Sequence, residues 1–418
     1  MDGADNRVQA LGLRGPQAAV RALPDSPRAW LMAATAFFSC FTIFGVVYSF
    51  GSFFKPMAAE FGQSRAHTSA VFSITACVYN LLGLAGGHLA DRFGPRPIVI
   101  TGALAMGAGL IATSMAGSLA LGCVAYGLGV GVGVACVYVP MLAVVSGWFV
   151  KRRTTALGIA VSGVGGGTLV VAPIAAALIV HLGWRESYAI MGVASAVGLL
   201  GCALIIEAPP AHMTPAVAPM HLTAAMRTPE FAMLYAAGVL SSVAIYMPFV
   251  YLPDFAHGRG ASQVAAAALV GVVGAASVAG RLGIGTIADR AGIIPLYKLS
   301  MLILGLSYGL WMVAHSYAAL AVFALVMGAA YGAMIALSPA VVAELFGVPG
   351  LGALIGALYT SSAISALAGP PLAGFVIDRT GGYTWAIALA GATAVAGFLI
   401  IVPLRNAGRS ISIAGGPD

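Results

Sequence analysis

The chain has 418 residues, of which 60% are hydrophobic and only 8% are charged. Soluble domains carry about 25% charged residues, so the composition excludes a soluble globular protein and predicts a membrane protein. The 55 glycines agree with this, because small residues allow membrane helices to approach closely. The net charge of +7 is explained by the membrane topology described next, and we predict no nucleic-acid partner.

In chain order, twelve apolar stretches are long enough to span the lipid bilayer, since about 20 residues cross a hydrocarbon core of ~30 Å. The first stretch is longer than the ~7–15 apolar residues of a signal peptide and is therefore interpreted as a retained span. The predicted spans are residues 30–54, 66–90, 97–117, 119–148, 154–180, 186–206, 230–254, 264–288, 294–315, 317–345, 351–377 and 383–403.

The Lys and Arg residues between the spans predict the orientation. With a cytoplasmic N-terminus, fourteen of them fall on the cytoplasmic side and five on the other side, which satisfies the positive-inside rule. The cytoplasmic set is Arg7, Arg14, Arg21, Arg28, Arg92, Arg96, Lys151, Arg152, Arg153, Arg227, Arg290, Lys298, Arg405 and Arg409, and the opposite set is Lys55, Arg65, Arg185, Arg259 and Arg379. Both termini are therefore predicted to be cytoplasmic.

The five cysteines lie inside predicted spans and lack the spacing of metal ligands, so we interpret them as small buried apolar residues. They are Cys40, Cys77, Cys123, Cys136 and Cys202. No metal site and no cofactor are predicted.

Five prolines and weak apolar periodicity indicate a linker at residues 207–229. The predicted organisation is a cytoplasmic segment 1–29, a six-helix bundle 30–206, the cytoplasmic linker 207–229, a second six-helix bundle 230–403 and a cytoplasmic tail 404–418. The two bundles match at a constant offset of 198 residues. The ten matched pairs are Gly87/Gly285, Asp91/Asp289, Arg92/Arg290, Gly94/Gly292, Gly158/Gly356, Pro173/Pro371, Gly183/Gly381, Tyr48/Tyr246, Gly62/Gly260 and Ser64/Ser262. Such a duplication is typical of transporters whose binding site lies between the halves near the midplane.

The segment "GGHLADRFGPR" (86–96) and its degenerate copy "GIGTIADRAG" (283–292) lie at matching places in the repeat. The first copy fits the G-x-x-x-D-R-x-G-x-R loop of the major facilitator superfamily, and the chain resembles that superfamily over its whole length. The resemblance implies an all-α membrane fold of twelve transmembrane helices in two pseudo-symmetric six-helix halves.

Charged residues in these loops are candidates for gating. Asp91 lies at a helix end beside two arginines and near "KRR" (151–153), and such a cluster is able to hold the cytoplasmic ends together in one state and release them in the other. The alternative is simple positive-inside anchoring. The gating candidates are Asp91, Arg92, Arg96, Asp289, Arg290 and Arg152.

Three segments show a narrower resemblance, to the monocarboxylate porters and more distantly to the bacterial oxalate/formate exchangers. They are "YSFGSFFKPMAAEFGQSRAHTSAVFSI" (48–74), "SGWFVKRRTTALGIAVSGVGGGTLVVAPI" (146–174) and "GWRESYAIMG" (183–192). This family keeps an arginine in the eighth span, where this chain has Arg281, which implies that Arg281 binds the substrate carboxylate. The chemistry agrees, because a guanidinium stays charged and offers two parallel donors to a carboxylate.

Arg281 interrupts a long apolar run, and a charge there costs about 2.5–3.5 kcal/mol on insertion scales. No Asp or Glu lies in the interior of a predicted span, so we expect the arginine to be unpaired until an anion binds; the alternative is that it snorkels to the cytoplasmic surface. One arginine neutralises one carboxylate, which favours a monoanion. The second cation that the oxalate exchangers carry is absent from "LYTSSAISALAG" (358–369).

Other candidate substrate-binding residues follow from their depth in helices that line the cavity in this superfamily. Asn80 and Tyr331 fall near mid-membrane, and an amide or a phenolic hydroxyl can orient a carboxylate while tyrosine rings line an apolar cavity. Tyrosine is also common at membrane interfaces, so each has a structural alternative. The further candidates are Tyr359, Ser362, Tyr48, Tyr246, Tyr126 and Tyr138.

Two departures from the family leave the coupling mechanism open. Many proton-coupled relatives carry an acid one turn before the arginine and a lysine in the first span, whereas this chain has Ser277 and no lysine from Trp30 to Phe54. Proton symport then requires either that the substrate acid enters already protonated or that His88 titrates. His88 is one turn from Asp91, so its alternative role is a structural hydrogen bond. Anion exchange needs no proton site.

The predicted function is secondary active transport of small monocarboxylate anions, such as lactate or pyruvate, by alternating access. The runner-up is a polyspecific exporter of the same superfamily, but such exporters often place an acid in the cavity for cations. A membrane enzyme is not predicted, because the spans contain no catalytic constellation. The predicted setting is a functional monomer in the bacterial inner membrane, with the lipid bilayer, a small organic monoanion and in symport a proton as its partners.

Overall fold

The computed structural model describes residues 25–209, 225–346 and 351–404, and these residues are helical with short connections. The helices are α1 Pro27–Tyr48, α2 Phe50–Phe61, α3 Arg65–Phe93, α4 Pro95–Ser114, α5 Leu119–Trp148, α6 Arg153–Leu182, α7 Trp184–Ile205, α8 Pro229–His257, α9 Gln263–Ala291, α10 Ile293–Val313, α11 Tyr317–Phe346, α12 Leu351–Thr380 and α13 Thr384–Ile401. Residues 1–24, 210–224 and 405–418 lie outside the described residues, so the predicted N-terminal segment, most of the linker and the tail stay predictions.

Within the described residues, twelve helical segments are long and apolar enough to cross a membrane. The predicted all-α fold with twelve transmembrane helices is therefore confirmed. Helices α1 and α2 together form the first span, Pro27–Phe61, which is longer than the predicted 30–54. Each of the other spans is a single helix whose ends lie within a few residues of the prediction.

The first span is broken at Ser49. Its backbone N–H donates to the carbonyls of Gly45 and Val46 at 3.1 and 3.3 Å, and its hydroxyl donates to Val46 at 2.8 Å. Pro56 then lies inside α2, where it has no N–H for the helical ladder. Gly51 lets α2 lie directly against α8, because a Cβ atom at that position would come within 2.9 Å of Pro253 Cγ.

The internal repeat is visible in the backbone. Among the described residues, six glycines have positive φ, and they form three pairs at the offset of 198: Gly62 and Gly260 (59° and 93°), Gly94 and Gly292 (85° and 84°), and Gly183 and Gly381 (88° and 67°). Residues with a Cβ atom rarely adopt this conformation. Each pair makes the same turn between the same two helices of its half, so the two halves are built to one plan.

The main contacts between the halves are those of α2 against α8, α3 against α12, and α6 against α9. The closest approach uses glycine on both sides, because a Cβ atom at Gly274 of α9 would lie 2.8 Å from the carbonyl oxygen of Gly165 in α6. Helices that pack backbone to backbone in this way leave no room for a side chain between them.

One side of the membrane is called the linker side: α1 and α8 begin there, and α7 and α13 end there. The other side is called the far side. Apart from Arg281, the described residues place nine basic residues on the linker side and five on the far side. The linker-side residues are Arg28, Arg92, Arg96, Lys151, Arg152, Arg153, Arg227, Arg290 and Lys298. This asymmetry agrees with a cytoplasmic linker side, which stays a prediction.

Basic side chains cap helix ends at the linker side of each half. Arg96 donates to the carbonyls of Ala203 (2.9 Å) and Leu204 at the end of α7, and Lys298 donates to two carbonyls at the end of α13. These last carbonyls have no partner within their own helix, and a nearby cation also suits the helix dipole.

The start of α1 is tied to the loop between α5 and α6. The backbone N–H groups of Lys151 and Arg152 donate to the Asp25 carboxylate at 3.1 and 3.0 Å. The bond from Lys151 is the main cause that lowers the pKa of Asp25 below its ordinary value. Arg28 of α1 also pairs with Glu207 after α7, so the linker-side ends of the first half are fixed to each other.

Candidate functional site

A cavity of ≈ 410 Å³ lies between the two halves. Its lining reaches Leu234 in the second turn of α8 and Ile355 in the second turn of α12, both near the linker side. Towards the far side it ends at the level of Tyr48 in α1 and Tyr246 in α8. The cavity therefore occupies the linker-side half of the membrane, at the interface where a transporter of this architecture binds its substrate.

Arg281 enters this cavity from α9 and is the only charged residue in the described part of the lining. One Nη donates to the carbonyl oxygen of Val161 at 3.2 Å, in α6 of the other half. Its Nε is buried without a hydrogen-bond partner, and none of the ion pairs among the described residues includes it. A partly buried guanidinium without a counter-charge is costly, and a bound carboxylate would supply both the missing charge and the missing acceptor.

A row of five aromatic rings, here called the aromatic belt, runs beside the cavity, and four of them line it: Tyr138, Phe44, Tyr48 and Tyr331. It runs from Tyr138 to Phe44, Tyr48, Phe249 and Tyr331, with successive ring centres 5.1, 5.6, 4.0 and 6.3 Å apart. The belt begins in the first half and ends in the second. Its last ring lies 5.8 Å from the Arg281 guanidinium carbon, a distance at which a cation is attracted to the ring face.

Asn80 joins the two halves at the wall of the cavity. Its Nδ2 donates to the carbonyl of Ala76 at 2.8 Å, within α3, and to the Tyr246 hydroxyl at 3.1 Å, in α8 of the other half. This hydrogen bond lies at the far-side end of the cavity, so it closes the space below a bound substrate.

Hydroxyl groups on α8 and α12 form the wall within the second half. Ser242 and Ser362 share a hydrogen bond of 3.1 Å, and Tyr235 and Thr360 share one of 3.0 Å. The Ser362 hydroxyl is thus engaged in holding two helices together, although the residue borders the cavity.

Eight of the nine predicted substrate-binding residues border the cavity: Arg281, Asn80, Tyr331, Tyr359, Ser362, Tyr48, Tyr246 and Tyr138. The ninth, Tyr126, lies outside it. Tyr126 is fully buried in the first half, where its hydroxyl donates to the carbonyl of Val46 at 3.2 Å. The prediction placed it in the cavity from depth alone, and the rotation of α5 turns it towards α1 instead, so we remove it from the proposed site.

Several lining residues were not predicted, notably Phe44, Tyr79, Tyr297, Ser241 and Ser242. The serine pair carries a sequence signal, since two adjacent hydroxyls interrupt an apolar run one turn from Tyr246. Tyr79 is adjacent to Asn80 in the sequence. Phe44 carries no such signal, because a phenylalanine fits any face of a membrane helix.

The predicted gating cluster forms no latch in this structure. Asp91, Arg92 and Arg290 are exposed, and Asp91 takes part in none of the ion pairs among the described residues. Arg96 instead caps α7, and Arg152 uses its backbone N–H to bond Asp25. The Asp289 side chain lies outside the described residues. The gating role stays a prediction, and it would apply to a state in which the linker side is closed.

Ion pairs between the halves occur on the far side, in a group here called the far-side cluster: Arg65, Asp254, Asp378 and Tyr383. Arg65 of the first half lies 3.4 Å from Asp254 and 3.5 Å from Asp378, both in the second half. The Ala66 N–H donates to Asp378 at 3.3 Å, and the Tyr383 hydroxyl donates to Asp254. These contacts hold the far-side ends of α3, α8 and α12 together.

Asp254 was not among the acids that the sequence analysis considered. It is only 8% exposed and sits in the last turn of α8, beside His257 and across a small pocket from Lys55. Among the described residues, no group of three His, Cys, Asp or Glu side chains is arranged to hold a metal ion.

Comparisons with known proteins agree with this architecture. The model of the Major Facilitator Superfamily matches residues 36–317 and 295–415. Monocarboxylate transporter 13 of Rattus norvegicus is 30% identical over 397 residues, which cover 94% of this chain and 92% of that protein. Monocarboxylate transporter 11 of Homo sapiens is 29% identical, covering 92% of this chain and 84% of the relative.

Two solved transporter structures share the fold. A peptide transporter crystallised with sulfate has a TM-score of 0.75 at 15% identity and covers 93% of this chain and 97% of its own. A bacterial homolog of the human lysosomal transporter Spinster, in an inward-facing and unoccupied conformation, has a TM-score of 0.68 at 17% identity, covering 90% and 95%. With the family model matching most of its length and a 30% identical relative matching nearly end to end, the chain belongs to the Major Facilitator Superfamily and, within it, to the monocarboxylate transporter family.

Proposed function

We propose that this protein is a secondary active transporter of small organic monoanions, such as lactate or pyruvate, which it moves by alternating access. The observation that carries the proposal is the Arg281 guanidinium, which lies in the cavity between the halves and forms no ion pair with any described residue. The names of the relatives support a monocarboxylate as the substrate. One positive charge matches one carboxylate, so we propose a monoanionic substrate and not a dicarboxylate.

The alternative, a polyspecific exporter of cationic compounds, is less well supported. Such a site needs a negative charge, and the described lining contains no Asp or Glu. A cation would have to enter a cavity whose single charge repels it, in surroundings where electrostatic interactions are stronger than in water.

Two forms of coupling fit the site, proton symport and anion exchange. The position one turn before Arg281 is Ser277, which is buried and donates to the carbonyl of Gly274 at 2.8 Å. It offers no proton site beside the arginine. Anion exchange needs none, whereas symport would require the substrate to carry the proton itself or a group outside the cavity to bind it.

We further propose that the linker side is cytoplasmic and that the monomer is the functional unit. The excess of basic residues on the linker side supports the orientation, and a cavity bounded by both halves of one chain supports the monomer. The bacterial inner membrane rests on the resemblance to bacterial exchangers alone and stays a prediction.

Substitution of Arg281 tests the proposal. Arg281→Ala should abolish binding of L-lactate and pyruvate to folded, monodisperse protein, because it removes the one charge that the described lining places in the cavity. Arg281→Lys should weaken binding by roughly ten- to a hundred-fold, since a charge-assisted hydrogen bond contributes about 1.5–3 kcal/mol and the lysine cannot form the two-pronged contact. Calorimetry of the purified proteins gives both affinities.

Arg185→Lys is the matched control, because Arg185 pairs with Glu60 within the first half on the far side. It should leave the affinity unchanged. Normal acid binding by Arg281→Ala, or a wild-type preference for the uncharged lactamide over lactate, would contradict the carboxylate assignment.

A further inference from the structure

We propose that the preferred substrates are monocarboxylates that carry an aromatic ring two or three carbons from the carboxylate. The inference rests on the proposed function, since it takes Arg281 as the carboxylate receptor, and it adds where the rest of the substrate lies. The aromatic belt is the observation that carries it.

The belt ends beside the arginine. With a carboxylate on the Arg281 guanidinium, the neighbouring surface is the Tyr331 ring, whose centre is 5.8 Å from the guanidinium carbon. Tyr48 and Tyr138, further along the belt, line the same cavity as Arg281. A substrate anchored by its carboxylate therefore extends over aromatic rings, which prefer the offset or edge-on contacts of another ring.

Other lining residues are apolar and adaptable. They include Met301, Met334, Ile335 and Leu142, and methionine side chains adjust to the shape of a bound group and contact aromatic rings favourably. The cavity thus combines one cationic end with aromatic and aliphatic walls, which matches an acid that has a flat apolar tail.

The volume of the cavity also favours a substrate larger than a three-carbon acid. A three-carbon acid has six heavy atoms and displaces on the order of 100 Å³, judged from the ~30 Å³ that one water occupies in the liquid. The cavity measures ≈ 410 Å³. A short acid would leave most of this space to water against apolar walls, whereas a phenyl-substituted acid replaces that water with ring contacts.

The test compares acids that share a carboxylate and differ in the tail: propionate, 3-phenylpropionate and 3-cyclohexylpropionate, with 3-phenylpropionamide as the uncharged analogue. Calorimetry on the purified full chain should show 3-phenylpropionate binding about ten-fold or more tighter than propionate. The cyclohexyl acid should bind more weakly than the phenyl acid, since it is of similar size and lacks the flat ring. The amide should bind most weakly.

Tyr138 gives a matched pair of variants. Tyr138→Leu removes a belt ring and should reduce the ratio of phenylpropionate to propionate affinity by at least three-fold, whereas Tyr138→Phe keeps the ring and should keep the ratio. Because the ratio is taken on one protein, a general loss of folded material does not change it. If Tyr138→Leu does not fold, Phe44→Leu removes the adjacent belt ring.

The outcomes separate the two proposals. Equal affinities for propionate and 3-phenylpropionate would overturn the aromatic inference and leave the carboxylate proposal standing. An equal ratio in Tyr138→Leu and Tyr138→Phe would also overturn it, because the belt would then contribute nothing to selectivity. If none of the acids binds, or if the amide binds best, the proposed function itself fails.

Discussion

Arg281 and Gly83 occupy equivalent positions in the repeat, 198 residues apart, and both border the cavity. The duplication that shapes the two halves is thus broken at the site, with a guanidinium in one copy and no side chain in the other. The sequence predicts Arg281 because a charge in an apolar run is costly and stands out. It does not predict Phe44 or exclude Tyr126, because a ring in an apolar helix gives no sign of which way packing turns that helix.

The hydrogen bond between Asn80 and Tyr246 can be tested beside a second tyrosine hydrogen bond, the one from Tyr126 to Val46, which lies outside the cavity. Tyr246→Phe removes the acceptor that joins the halves at the cavity and should weaken substrate binding about two- to ten-fold, the equivalent of a bond that contributes about 0.5–1.5 kcal/mol. Tyr126→Phe removes a bond to Val46 inside the first half and should lower the melting temperature without changing affinity. Unchanged affinity in both variants would remove Tyr246 from the site.

Among the elements, the ends of the spans after the first were predictable to within a few residues, because apolar runs bounded by polar loops determine where a helix can cross a bilayer. The break between α1 and α2 was not, since Ser49 becomes a break only through its own local hydrogen bonds. The far-side cluster was not predictable either. Arg65 and Asp254 are distant in sequence, and they meet only because α3 and α8 pack across the halves.

The far-side cluster should keep the far side closed. Arg65→Gln leaves Asp254 and Asp378 facing each other without a cation, so the far-side ends should separate more often. A cysteine placed at Ala66 in a cysteine-free background should then react about two- to ten-fold faster with a water-soluble thiol reagent. The effect is modest because Arg65 is 41% exposed, and ion pairs at such positions contribute about 0–1 kcal/mol each.

Arg185→Gln is the control for this experiment, since its partner Glu60 belongs to the same half. It removes an equivalent charge on the same side and should not change labelling at residue 66. Similar acceleration by both variants would show that the far-side cluster has no special part in closing the interface.

For the whole molecule, the repeat allowed the two-bundle architecture to be predicted, because glycine positions at a constant offset reflect equivalent turns. The conformational state was not predictable, since a transporter sequence must support at least two states. The structure shows the state in which the far side is held by Arg65 and the linker side contains the cavity. In this state Asp91 takes part in none of the ion pairs among the described residues, although the motif predicts that it interacts with its neighbours in another.

The interaction that the motif predicts for Asp91 in the other state can be tested by its effect on the transport cycle. Asp91→Asn keeps the side-chain shape and removes the charge, so it should slow transport several-fold while equilibrium binding stays within a few-fold of the wild type. Glu230→Gln, which removes an exposed acid at the start of α8 on the same side, should affect neither. Loss of binding in Asp91→Asn, with the rate per bound substrate intact, would contradict the gating assignment.

The bond between Arg281 and Val161 joins the proposed substrate-binding arginine on one half to the backbone of the other. When the halves move apart along α6 and α9, the guanidinium loses this carbonyl, so its hydrogen-bonding capacity depends on the state of the protein. An anion that binds the arginine will therefore bind the two states with different affinities. The ratio of these two affinities is the largest factor by which substrate binding alone can shift the equilibrium between the two states.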